Sequence, residues 1–254
     1  MSYLEELFSL DGRQAVVTGA SSGIGRALAL ALGRGGARVT LIGRDRDRLD
    51  SVAAELRDRG AGAHWHSIDL GDEAQTRELA GSEALAECDI LVNCAGVNYR
   101  PPLGETSQAE YDALVAVNLR APYLLGQAAG PAMAARGFGR IINIGSQQSW
   151  SAFGNSGVYG MTKAALAGLT RSQAEAWSAH GVTANTIIPG FVVTPMTLET
   201  IAEPGREAAL AARTMIGRNG RPEDFCGVVV FLASASAGYL TGQTIAVDGG
   251  FSVH

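Results

Sequence analysis

Residues Arg13 to Arg34 read RQAVVTGASSGIGRALALALGR, and the fold is legible in that stretch. Arg13–Thr18 is a short run rich in β-branched residues, the pattern of a buried strand. The next residues, Thr18-Gly19-Ala20-Ser21-Ser22-Gly23-Ile24-Gly25, run straight into an apolar helical pattern from Gly23 to about Arg34. Gly19 permits a tight turn, Gly23 lets backbone approach a pyrophosphate, and Gly25 lets the helix pack closely on the sheet. The free N–H groups and positive dipole end at such a helix N-terminus suit phosphate. Glycines in a turn with no ligand are the plainer alternative. The order strand, glycine loop, helix favours a dinucleotide cradle, with Ser21, Ser22 and Ile24 beside the glycines.

Outward from this unit the same alternation recurs. Strands are expected at Arg38–Ile42, Ala63–Ile68, Asp89–Asn93, Arg140–Ile144, Thr183–Ile188 and Gln243–Val247. Helices are expected over Asp45–Arg59, Asp72–Ala86, Gln108–Arg136, Val158–His180 and Pro222–Ser234. Apolar strands separated by helices imply a parallel sheet covered on both faces. The fold class is therefore α/β: one doubly wound parallel sheet, a Rossmann fold, spanning residues 1–254 as a single domain. Its ligands belong at the carboxyl ends of the strands. The stretch 191–216, with Met196, Leu198 and Ile201, is expected to form a substrate lid.

Composition narrows the function. The 254 residues carry a formal net charge of −5, which leaves no basic surplus for nucleic acid. Cys88, Cys94 and Cys226 make no framework of pairs or metal spacings, and His64 and His66 have no carboxylate to complete a ligand set, so no metal is expected. Met1–Asp11 is acidic and lacks a signal-peptide pattern, and no apolar run approaches a membrane span. These features suggest a soluble cytoplasmic protein. Of the 20 basic residues 19 are arginine, and Lys163 is the single lysine. A GC-rich genome would explain the bias but not where the one lysine sits. An ammonium is a compact charge whose pKa responds to its surroundings.

Tyr159 and Lys163 stand four apart within an expected helix, so both project from one face. A neighbouring ammonium is expected to lower the phenol pKa and make proton exchange with a hydroxyl practicable. A ring packed on a surface helix is the plainer alternative for a lone Y-x-x-x-K. The cradle and Ser146, just past the strand Arg140–Ile144, weigh against it.

With T-G-x-x-x-G-I-G, the chain carries Asn93-Cys94-Ala95-Gly96, Asn118, Ser146, Tyr159-x-x-x-Lys163, Pro189-Gly190 with Thr194, and Val247-Asp248-Gly249-Gly250. In order and spacing these resemble the short-chain dehydrogenase/reductase family over nearly the whole chain, Cys94 replacing a usual asparagine. The resemblance implies a hydride transfer between a nicotinamide and a carbonyl or secondary alcohol. It makes Tyr159 the proton donor, Ser146 the group that holds the reacting oxygen, Lys163 a partner of the nicotinamide ribose, and Asn118 the support of a water beside Lys163. It adds Asp69, Leu70, Asn93, Ala95, Gly96, Pro189, Gly190, Val192 and Thr194 to the cofactor contacts, and implies a homotetramer joined through the long helices Gln108–Arg136 and Val158–His180 and the C-terminal region near Phe251.

Gly43 and Arg44 follow the second strand where an acidic residue would select NAD. Arg44 suits a 2′-phosphate, which favours NADP(H), with NAD(H) as the second cofactor if Arg44 only stacks on adenine. Asp45 reads as a helix N-cap. The loops after the fourth and fifth strands look like the gluconate 5-dehydrogenase and 2-deoxygluconate 3-dehydrogenase branch. There Arg100 would hold a sugar-acid carboxylate, while Gln148 and Ser149 would bind hydroxyls. A solvent-exposed role for Arg100, with a cyclic or aliphatic ketone as substrate, is the alternative. A dinucleotide-sensing regulator would bind without turnover, but Ser146, Tyr159 and Lys163 are all present. A methyltransferase would share the glycine turn without needing the Tyr–Lys pair.

Overall fold

A computed structural model describes residues 2–254. Seven strands form one parallel sheet: β1 Gln14–Thr18, β2 Arg38–Gly43, β3 Ala63–Ser67, β4 Ile90–Asn93, β5 Gly139–Ile144, β6 Val182–Pro189 and β7 Thr244–Val247. Their order is β3-β2-β1-β4-β5-β6-β7. Alternate side chains leave a strand on opposite faces, and here they feed two cores. Ala15, Val17, Ile90, Val92 and Ile142 point to the layer with Leu28, Leu49 and Val229. Val16, Leu91 and Ile141 point to the other, with Leu125, Met133 and Ala174. The helices Gly23–Arg34, Arg46–Asp58 and Cys226–Ala233 thus cover one face, and Ala121–Arg136 and Gly157–Trp177 the other.

Strand order reverses between β1 and β4, which pair in register Ala15 to Ile90 and Val17 to Val92. The connections leaving these two strands run to opposite sides, opening a crevice at their carboxyl ends. Every expected strand is present, with no end shifted by more than one residue. Asp45 caps its helix as expected, accepting from the Arg48 N–H at 3.1 Å.

Three expected helices are interrupted. The region Asp72–Ala86 is two helices, Glu73–Ala80 and Glu83–Ala86, divided at Gly81 and Ser82. Pro222–Phe225 is a tighter turn ahead of Cys226–Ala233. Gln108–Arg136 is Gln108–Val115, a π-helical turn at Ala116–Arg120, and Ala121–Arg136. Pro122 has no N–H to offer the Asn118 carbonyl, and the Ala121 N–H reaches back five residues to Ala116.

The sequence reading passed over the N-terminal helix Tyr3–Phe8, capped by a reciprocal Ser2–Glu5 pair. Between Phe191 and Met215 the chain forms short helices, Pro195–Thr197, Leu198–Ile201 and Arg206–Ala211. No described helix is long and apolar enough to cross a membrane.

Candidate active site

A cleft crosses the carboxyl ends of the strands, from the glycine turn to Tyr159 and Lys163. At one end it is lined by Gly19, Ser21, Ser22, Gly23, Ile24 and Gly25, with Arg44 after β2 and Asp69 and Leu70 after β3. Ala95 and Gly96 after β4, and Pro189, Gly190, Val192 and Thr194 from the end of β6 onward, line it further along. The turn is built for close approach. Gly19 has φ +68°, and a Cβ there would stand 2.8 Å from the Ala95 Cα. Ser22 opens its helix in extended backbone, and its side chain makes no capping bond. First-turn N–H groups and a free hydroxyl therefore face the cleft, as a pyrophosphate requires. The Thr18 hydroxyl joins the two loops by accepting from the N–H groups of Cys94 at 3.0 Å and Ala95 at 3.1 Å.

Asn93 lies beneath the cleft. Its amide donates to Asn143 Oδ1 at 2.9 Å, and Asn143 donates in turn to Thr170 and Gln173 of the helix Gly157–Trp177. This buried network fastens the centre of the sheet to the helix that carries Tyr159 and Lys163.

At the other end of the cleft, Ser146 Oγ accepts from the Gln148 N–H at 3.2 Å. Ser149 Oγ accepts from the Ser146 N–H at 3.3 Å and donates to the Lys163 carbonyl at 2.9 Å. The helix beginning at Gly157 brings Tyr159 and Lys163 to the cleft floor, where both are buried. Lys163 Nζ donates to the Ile144 carbonyl at 2.8 Å and stands 5.8 Å from the Tyr159 ring centre. Asn118, on the π-helical turn, brackets Val97 with two hydrogen bonds, 2.9 Å from the Val97 N–H and 3.0 Å to its carbonyl. Gly96 separates Asn118 from Lys163: a Cβ on it would lie 3.4 Å from Asn118 Oδ1 and 3.6 Å from Lys163 Nζ.

A family model described as enoyl-(acyl carrier protein) reductase matches residues 19–252. The chain is 40% identical to gluconate 5-dehydrogenase of Gluconobacter oxydans over 98% of each chain. The chain belongs to the short-chain dehydrogenase/reductase family. Galactitol 2-dehydrogenase (L-tagatose-forming) of Cereibacter sphaeroides is also 40% identical, over 97% of this chain and 98% of its own. The solved structure of a Beutenbergia cavernae protein, described as an NAD(P)-dependent gluconate 5-dehydrogenase with NADP bound at low occupancy, is 43% identical. It superposes with a TM-score of 0.94 over 98% of this chain and 100% of its own.

As a short-chain dehydrogenase/reductase the chain is an NAD(P)-dependent oxidoreductase acting on CH–OH groups. The electrostatics of its tyrosine differ from the expectation that Lys163 lowers the phenol pKa. Burial is the largest influence on Tyr159 and raises its pKa, while the neighbouring Ser146 hydroxyl and the Arg100 guanidinium pull it down. Lys163 is aimed at the Ile144 carbonyl, and burial pushes its own pKa down to about 8. The resting tyrosine is therefore a neutral phenol, the form that donates a proton to a carbonyl.

Three residues singled out for substrate lie off the cleft wall in this short-chain dehydrogenase/reductase. Arg100 Nη1 donates to Thr200 Oγ1 at 3.1 Å. Gln148 is buried beside Ser146, and Ser149 is occupied by the bonds that join Ser146 to Lys163. Ile68, Val97, Val117, Ile144 and Gly145 line the cleft without having been singled out, and Met196 of the expected lid lines it too. Several adjoin the motif residues, which was the available signal. Cys94 also lines it, its thiol pushed up to about 12 by burial and so held neutral. Among the described residues no cluster of three metal-ligating side chains occurs.

Proposed function

We propose that this protein is an NADP(H)-dependent oxidoreductase of sugar acids, interconverting a secondary hydroxyl and a ketone on an aldonate such as gluconate. The observation that carries the substrate class is Arg100. Its charge is felt at the Tyr159 hydroxyl, and its guanidinium has no carboxylate within ion-pair distance among the described residues. A carboxylate held there would set a carbon several bonds away beside Ser146 and Tyr159. The gluconate relatives agree with this reading.

Residues Gly19 to Gly25, Asp69, Leu70, Ala95, Gly96 and the loop Pro189–Thr194 fit a dinucleotide: Gly19, Gly23 and Gly25 keep Cβ atoms from the tightest points of the turn, and Ser22 leaves its helix N-terminus open. Arg44 follows Gly43 on the cleft wall, while Asp45, the next acidic residue, is turned to cap its own helix and does not line the cleft. NADP is also what the Beutenbergia cavernae relative carries. When bound, the cofactor supplies or accepts the hydride. Ser146 holds the substrate oxygen, and Tyr159 donates its proton to that oxygen as the carbonyl is reduced. Lys163 holds a positive charge behind the phenol and stabilises the phenolate left by proton donation. Asn118 fixes the Val97 loop against this group and leaves its own carbonyl without an α-helical donor. Arg100, Gln148 and Ser149 shape the substrate end, the last two by holding Ser146 and Lys163 in place.

A neutral polyol or ketone is the second reading, favoured by Met196 on the cleft wall, by exposed Leu198 and by the galactitol relative. Rates with aldonates, polyols and cyclic ketones, each with NADP and NAD, decide between them. Turnover of gluconate or its keto acid is expected; preference for neutral ketones with indifference to aldonates overturns the sugar-acid reading.

We further infer a cytoplasmic homotetramer joined through the helices within 108–136 and 157–180. Tyr111, Tyr123 and Met161 leave apolar surface on those helices at 40%, 48% and 47% exposure, area that partner subunits would cover. Residues 191–216 would serve as the substrate lid. Light scattering tests the assembly, a monomer mass at micromolar concentration rejecting it, and cell fractionation tests the location.

A further inference from the structure

Three arginines from separate segments converge on one aromatic ring at the substrate end of the molecule. Arg100 comes from the segment after β4, and Arg206 and Arg213 come from the helical stretch after β6. Their Cζ atoms stand 5.9, 5.8 and 6.0 Å from the centre of the Phe153 ring, which lies in the segment between Ser146 and Tyr159. Arg213 also sits 4.2 Å over Phe251.

Arg206 and Arg213 are exposed, so water and salt screen the grouping without neutralising it. Like charges gathered around a half-buried ring repel one another, and contacts near 6 Å lie at the outer limit of cation–π attraction. No carboxylate offsets them. Glu203 and Glu207 share the stretch with Arg206 and Arg213, yet none of the three arginines forms an ion pair with any described residue. The side chains of Arg206 and Arg213 donate no hydrogen bond, whereas Arg100 spends Nη1 on Thr200 and both Nε and Nη2 on the Asn98 side-chain oxygen. The guanidinium donors of Arg206 and Arg213 are thus unspent around Phe153, and Arg100, whose charge reaches Tyr159, links that spot to the catalytic group. Such an arrangement is complementary to an anion carrying more than one charge.

We propose that Arg206 and Arg213 form a second anion subsite, and that the preferred substrate is a sugar acid with a second negative group at the end remote from its first carboxylate. The inference rests on the sugar-acid reading and refines it. Arg100 takes the first carboxylate, and the other two arginines take the second group, which is a carboxylate in an aldarate or a phosphate in a phosphorylated aldonate. Phe153 packs against the stems and spaces the three guanidinium groups.

The test compares kcat/KM for gluconate, glucarate and 6-phosphogluconate, using the full-length protein with NADP. One of the doubly charged acids should exceed gluconate by about tenfold, as two partly exposed charge pairs would give. Whichever acid wins identifies the second group as carboxylate or phosphate. In the double variant Arg206→Gln/Arg213→Gln the ratio should fall toward unity, and in Arg206→Lys/Arg213→Lys most of it should survive. In the unmodified protein the preference should also shrink as salt is raised, a readout that depends on no variant. Gluconate turnover without gain from a second charge overturns the subsite alone, as does a ratio that persists in the glutamine variant or ignores salt. Refusal of all three acids alongside oxidation of neutral polyols overturns the sugar-acid reading with it.

Discussion

The Lys163 ammonium donates to the Ile144 carbonyl at 2.8 Å, so the second turn of the helix Gly157–Trp177 is tied to the last residue of β5. That bond sets where a compact cation can stand behind Tyr159. A guanidinium is planar and broad and cannot take the same place. Lys163→Arg should lower kcat by about a hundredfold or more, and Tyr159→Phe should lower it at least as far, the usual range for a lost acid–base group. Cofactor binding by Tyr159→Phe should stay nearly intact, since only a hydroxyl is removed. Steady-state rates with a confirmed substrate, paired with titration of NADPH, check both.

Burial of Lys163 also predicts how stability depends on pH. Its pKa is about 8 in the folded protein against an ordinary value of 10.5, so between those pH values the unfolded chain binds more protons. Stability from this group therefore rises with pH across that window, by roughly 3 kcal/mol in total. Below pH about 8 the folded state bears the full cost of a buried charge. Denaturation of wild type and Lys163→Met should show their difference moving in favour of wild type from pH 8 to 10.5. A constant difference would mean that the ammonium is better solvated than its burial implies.

Arg44 is exposed at the adenine end of the cleft. Arg44→Ala should weaken NADPH at the lower end of the ~1.5–3 kcal/mol range of charge-assisted bonds, because solvent screens the pair. NADH should lose much less. Calorimetric titration with both dinucleotides measures this, and equal losses would reduce Arg44 to a stacking surface for adenine.

Gly19 combines positive φ with the near contact to Ala95. Gly19→Ala should destabilise the fold by roughly 2–4 kcal/mol, from left-handed strain and overpacking together. The same shift would separate the two loops that Thr18 ties, so dinucleotide affinity should fall with stability. Thermal unfolding with and without NADP reads both effects.

The sheet was legible because its strands are apolar on both faces, and no other element type accounts for runs such as Asp89–Asn93 between helical patterns. The cleft was legible because glycine, Tyr159 and Lys163 are tied to backbone geometry that spacing reports. The π-helical turn was hidden: Pro122 is compatible with the first turn of a helix, and only the Ala121–Ala116 bond reveals what it displaces. The tyrosine's titration was hidden too, because burial outweighs a charge whose distance the spacing alone does not give. Arg206 and Arg213 lie more than a hundred positions from Arg100, and no local pattern links them to Phe153.

The solitary lysine has a chemical consequence outside catalysis. An amine with a pKa of about 8 is unprotonated in about a tenth of the molecules at neutral pH, whereas an ordinary lysine is almost wholly charged and far slower toward acylation. With 19 arginines and no other ε-amine in the sequence, an amine-directed reagent has one side-chain target, and that target lines the cleft. Acylation at Lys163 should be slow, since only 4% of the residue is accessible, and dinucleotide should suppress it further. The labelled Lys163 peptide, read apart from the chain's α-amine, would then report cofactor occupancy directly, with no substrate needed.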